Sequence, residues 1–136
     1  MPDGNGPHHL KTTPVVLKPD MTTERRDATK SDFYQALDAD FGGFRGHALI
    51  SQYSFESDWG MWEMHPKGDE TIVLMSGCVE FVYVVGADTV SVTLNEPGDY
   101  VVIPMGAWHT ANTSVPTSAL FVTPGEGTEH ASAPPA

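Results

Sequence analysis

The chain has 136 residues, 40% of them apolar, with 18 acidic against seven basic side chains and a formal net charge of −11. That length suits one domain with a core of ordinary size. The charge excludes nucleic acid and anionic membrane surfaces as partners, since both need clustered lysine and arginine, and no apolar run approaches the roughly 18 residues of a membrane helix.

Residues 1–12 carry proline, glycine, asparagine and histidine without periodicity and are expected to be poorly ordered. No basic stretch followed by an apolar one marks a secretory signal there. Residues 14–18 predict a short outer strand. The one helix expected lies over residues 29–41, capped by Ser31, with Phe33, Leu37 and Phe41 recurring at helical spacing and Gly42-Gly43 ending it.

From residue 45 the signals turn to β. Strands are expected at 46–55, 61–65, 70–76, 79–85, 89–94, 99–103, 107–113 and 118–123, separated by glycine, proline and aspartate turns. Eight short strands at this spacing predict a sandwich or barrel. The domain is thus drawn over residues 13–124, between a flexible segment at 1–12 and a flexible tail at 125–136 that has nothing to bury. One cysteine, Cys78, forms no internal disulfide, so a cytoplasmic location is expected.

The chemistry concentrates in residues 61–77, MWEMHPKGDETIVLMSG. In a strand, residues two apart share a face, so Glu63 and His65 point together while Trp62 and Met64 point away. A tight turn at residues 66–69 then brings Glu70 back on the next strand. In residues 98–112, Pro104 and Gly106 break a strand and His109 follows as pairing resumes.

These residues resemble the two motifs of the cupins. The first motif runs His, any residue, His, three or four residues, Glu, six residues, Gly. Glu63, His65, Glu70 and Gly77 keep its spacing, with Glu63 in place of the first histidine. The second runs Gly, five residues, Pro, one, Gly, two, His, three, Asn. Gly98, Pro104, Gly106 and His109 match it in register, with Asn112 one residue early. The resemblance implies an all-β cupin fold, a double-stranded β-helix (jelly-roll barrel) with one short N-terminal helix. It further implies that Glu63, His65, Glu70 and His109 stand where the family binds a divalent metal such as Fe, Mn, Ni or Zn.

Two imidazoles and two carboxylates balance a divalent ion, and the second carboxylate shifts preference toward harder metals. Without metal, Glu63 and Glu70 are catalytic candidates as an acid–base pair: two carboxylates on one wall repel, so one should keep its proton to higher pH. A third reading has the four residues satisfying one another as buried polar groups. The expected function is small-molecule binding in the barrel by a metal-dependent oxidoreductase or isomerase; the alternative is a non-catalytic binder of a sugar or organic acid without metal. His47, Tyr53 and Tyr83 are candidate pocket residues. Trp62 and Trp108, and by analogy Trp59, are expected on the opposite face, and His8, His9 and His130 in solvent. Strand 79–85 is apolar on both faces, which predicts a cover outside the barrel. In cupins that cover is often a second subunit with N-terminal strands exchanged, so the resemblance implies a homodimer, with residues 14–18 a candidate for the exchanged strand.

Overall fold

The structure, a computed structural model, describes residues 4–135. Its elements in chain order are β1 (Val15–Leu17), β2 (Thr23–Arg25), α1 (Phe33–Asp40), β3 (Ala48–Phe55), β4 (Trp62–Met64) and β5 (Glu70–Ser76). There follow β6 (Val79–Val85), β7 (Asp88–Leu94), β8 (Tyr100–Ile103), β9 (His109–Asn112), β10 (Thr117–Thr123) and β11 (Glu129–Ala131). Two antiparallel sheets form, one ordered β2-β1-β3-β10-β5-β8 and the other β11-β4-β9-β6-β7. The strand spacing predicts a sandwich or barrel, and this is the jelly-roll form of it that the resemblance implies.

Alternation puts the core between the sheets. Ile72 and Leu74 of β5, Val79 and Phe81 of β6, Val101 and Ile103 of β8, and Ala119 and Phe121 of β10 point inward and are buried. A second cluster joins Phe33 and Leu37 of α1 with Phe41, Phe44, Val16 and Leu49, and so seats the helix on β1 and β3. The helix is shorter than expected. It starts after Asp32, not Ser31, and neither it nor any other side chain caps it.

Two strands depart from the sequence reading. Thr23–Arg25 pairs as an edge strand against β1. Glu129–Ala131, inside the expected flexible tail, pairs with β4: Glu129 with Met64, His130 with Glu63 and Ala131 with Trp62. Both are three polar or small residues, which alternation cannot flag. Residues 1–3, within the N-terminal segment expected to be poorly ordered, lie outside the described residues, as does Ala136. β1 pairs with β2 and β3 of its own chain.

Two glycines shape the site. Gly77 turns β5 into β6 at φ 89°, and a β-carbon there would overlap the Pro116 carbonyl oxygen and the Thr117 side chain. Gly106, at φ 79°, donates its N–H to the His65 carbonyl at 2.9 Å and ties the turn before His109 to the end of β4.

Candidate metal centre

Register builds the site across one sheet. His130 of β11 stands opposite Glu63 of β4, Glu63 opposite His109 of β9, and His109 opposite Tyr83 of β6. Opposed residues share a face, so β4 and β9 present Glu63 and His109 together toward the barrel interior. Glu70 reaches in from the facing sheet, at the start of β5. His65 completes the group just after β4.

One donor atom from each of Glu63, His65, Glu70 and His109 lies within 4.8 Å of all the others. His109 Nε2 is 3.1 Å from Glu70 Oε1 and 3.4 Å from Glu63 Oε1. His65 Nε2 is 3.4 Å from Glu70 Oε2 and 3.5 Å from Glu63 Oε1. Each imidazole Nε2 thus lies 3.1–3.5 Å from an oxygen of both carboxylates, His65 and His109 meeting different oxygens of Glu70.

The surrounding bonds fix how each donor faces the centre. His65 Nδ1–H donates to Thr128 Oγ1 at 2.8 Å, because the Thr128 hydroxyl spends its own proton on the Gly125 carbonyl at 2.9 Å. His109 Nδ1–H points at the Ala107 carbonyl, 3.3 Å away, which can only accept. In the neutral tautomers both Nε2 lone pairs therefore face the carboxylates. Glu70 Oε2 accepts the Thr123 hydroxyl at 2.6 Å, leaving Oε1 free. His65 Nε2, His109 Nε2 and Glu70 Oε1 are buried without a hydrogen bond. Lone pairs facing carboxylate oxygens require a cation between them, either protons or a metal ion. These residues fit a divalent ion.

Without metal, protons do that work. Burial alone would lower His65 and His109, but facing Glu63 and Glu70 raises both to about 9. Burial alone would raise Glu63 and Glu70, but the imidazoles hold both carboxyls below their ordinary range. This corrects the expectation of one carboxyl keeping its proton: the imidazoles take the protons instead.

Glu63, His65 and Glu70 line a cavity of about 900 Å³ whose other walls include Tyr34 and Gln35 of α1, Tyr53 and Phe55 of β3, Trp59 and Phe121. Of the expected pocket residues, only Tyr53 lines it, its hydroxyl bonded to that of Tyr34. His47 belongs instead to a smaller cavity with Leu17, Lys18 and Pro124, its ring against Phe41 and Phe44. Tyr83 packs against the barrel core, because the segment before β4 covers that stretch of β6.

The sequence reading missed two contributors. Trp59, placed on the outer face by analogy, turns inward because its backbone N–H bonds Ala111 of β9; its ring lies 6.3 Å from that of His109. His130 is exposed, as expected, but its Nε2 lies 3.3 Å from Glu63 Oε2, on the side away from the cluster. For Trp59 the signal was its position three residues before a ligand-bearing strand; for His130 there was none.

No protein-family model and no curated protein matches the chain. Among solved structures, an oxalate oxidase aligns with TM-score 0.53 and 18% identity over 67% of this chain and 50% of its own. A cupin-2 domain protein from Shewanella frigidimarina aligns with TM-score 0.47 and 21% identity over 57% and 70%. Hydroquinone 1,2-dioxygenase from Sphingomonas sp. TTNP3, solved with 4-hydroxybenzoate bound, aligns with TM-score 0.47 and 20% identity over 56% and 58%. The chain thus spans half of the oxalate oxidase and little more than half of the dioxygenase. The two antiparallel sheets, with Glu63, His65, Glu70 and His109 gathered between them, give this chain the cupin jelly-roll fold.

Proposed function

We propose that the protein binds a divalent metal ion through Glu63, His65, Glu70 and His109 and uses it to hold and activate a small organic molecule in the barrel, as an oxidoreductase or isomerase. The observation that carries this is the convergence of four donor atoms within 4.8 Å, three of them buried and unpartnered. Two imidazoles and two carboxylates suit Fe(II), Mn(II), Ni(II) or Zn(II) and leave the bound centre uncharged. Such an ion supplies Lewis acidity and, for iron or manganese, redox capacity. The chain's own residues set the rest. Thr128 and the Ala107 carbonyl orient the imidazoles, Thr123 orients Glu70, and the aromatic walls exclude water from the ligand.

The test is elemental analysis by mass spectrometry on protein lacking residues 1–12, which removes the adventitious His8-His9 pair, with His109→Ala and Glu63→His alongside. Near-stoichiometric metal that His109→Ala loses is the expected result. Metal in Glu63→His but none in the natural protein would overturn it.

The paired imidazole–carboxylate contacts favour a second reading, in which Glu63 and Glu70 with protonated His65 and His109 move protons on a ligand without metal. It predicts turnover that survives chelation. The single cysteine suits a reducing compartment, and we place the protein in the cytoplasm, as a homodimer.

A further inference from the structure

We propose that the barrel cavity takes a neutral aromatic molecule carrying one ring hydroxyl or carbonyl, its ring against Trp59, Phe55 and Phe121 and its oxygen toward Glu63, His65, Glu70 and His109. The inference rests on the reading of that cluster as the reacting end and adds the class of ligand. Three observations carry it.

The first is the wall. Trp59 meets Phe55 at 5.8 Å between ring centroids and Phe121 at 6.1 Å, and Phe121 meets Tyr53 at 5.6 Å. Trp59 also touches His109 edge-on, so the aromatic surface runs up to the cluster without a break. A ring laid on that surface gains offset or edge-to-face contacts beyond its apolar area. A polyhydroxylated sugar would leave hydroxyls unpartnered against Phe55 and Phe121.

The second is charge. No lysine or arginine of the described residues lines the cavity, whereas Asp38, Glu63 and Glu70 do. Protonated imidazoles or a divalent ion already balance Glu63 and Glu70, so an anionic ligand would give up its water shell with no cation left over to receive it. A neutral ligand bears no such cost.

The third is a polar pair on the wall. The Tyr34 hydroxyl on α1 bonds the Tyr53 hydroxyl on β3, bridging helix and barrel at the cavity wall. This pair offers a polar contact to a second substituent of the ligand, and a cavity of about 900 Å³ leaves room for more than one ring.

The experiment is calorimetric titration of the full chain, zinc-loaded and chelator-treated, with 2-naphthol, its saturated analogue 2-decalol, 2-naphthoate and glucose. Naphthol should bind about tenfold tighter than decalol or naphthoate, a ratio that one or two aromatic contacts supply, and glucose should not bind. Phe55→Leu should shrink the naphthol–decalol ratio. Gln35→Lys, which adds the missing cation at the cavity wall, should shrink the naphthol–naphthoate ratio. Phe55 and Gln35 lie at the edge of the fold, and a melting curve verifies that each variant is folded. Naphthoate or decalol binding as tightly as naphthol, or none of the probes binding, would overturn the proposal. Zinc that fails to bind while the naphthol preference persists would remove the metal reading and leave the ligand class standing.

Discussion

His65 and His109 each have one ring nitrogen committed to an acceptor and the other aimed at two carboxylates, and that asymmetry governs what the site does with cations. Thr128 holds His65 in the useful tautomer only because its own proton goes to the Gly125 carbonyl. Thr128→Val should therefore weaken metal binding by about 10–100-fold, the usual cost of losing an orienting partner, while leaving all four ligands in place. Competition against a chromogenic chelator reads this directly. The same residues set a pH dependence. In metal-free protein the folded-state pKa of both histidines rises from 6.5 to about 9, so the stability they contribute is complete below about pH 6.5 and lost as pH climbs through 9. Glu63 and Glu70 fall below 4.5, so theirs is complete above pH 4.5 and lost in stronger acid. Chelator-treated protein should melt highest between about pH 4.5 and 6.5, and a Glu63→Gln/Glu70→Gln variant should lose the alkaline fall. Metal reverses that limb. Binding displaces the imidazole protons, so metal-induced stabilisation should grow from pH 6 toward 9.

At the scale of elements, the turn between β5 and β6 illustrates how one residue fixes a strand pair. Gly77 carries a left-handed backbone and passes against Pro116 and Thr117, where a side chain has no room. Gly77→Ala should cost about 1–3 kcal/mol for the backbone alone, with steric overlap adding to it, read as a fall in the urea midpoint at unchanged slope. This turn was legible in the sequence, as were β5 and β6, because alternation over seven residues and a flanking glycine leave little choice of register. So were Glu63, His65, Glu70 and His109 as a group, through strand alternation and the resemblance of their spacing to the two cupin motifs. β11 was not legible. Glu129, His130 and Ala131 have no periodicity of their own and are strand only because β4 offers an unpaired edge. Missing it also hid Thr128, so the bond orienting His65 went unseen. Trp59 was misplaced for a related reason: it precedes β4 rather than belonging to it, so strand alternation says nothing about where it points.

For the whole molecule, the homodimer we propose must bring together two chains that each carry a net charge of −11. Repulsion spread over the surface must be avoided at the contact, and one face does so. On the outer side of the six-stranded sheet, Tyr100 of β8, Val73 of β5 and Leu120 of β10 lie in one cross-strand row, and Val102, Thr71 and Val122 in the next. Met75 extends the β5 part of this face, and none of the seven side chains is charged. Tyr100 is 65% exposed, Met75 43% and Val102 40%, although each stands in a sheet whose inner face is closed. β8 is also an edge strand, four residues long, with one side unpaired. A two-fold contact through this face buries apolar surface where the charge density is lowest, so raising the ionic strength should tighten it by screening the remaining repulsion. Sedimentation at micromolar concentration should give a dimer whose dissociation constant falls with added salt. Tyr100→Lys with Val102→Glu should give a monomer that keeps its metal content, since the ligands sit on the inner face. A wild-type monomer would leave this sheet without a partner and the dimer assignment without support.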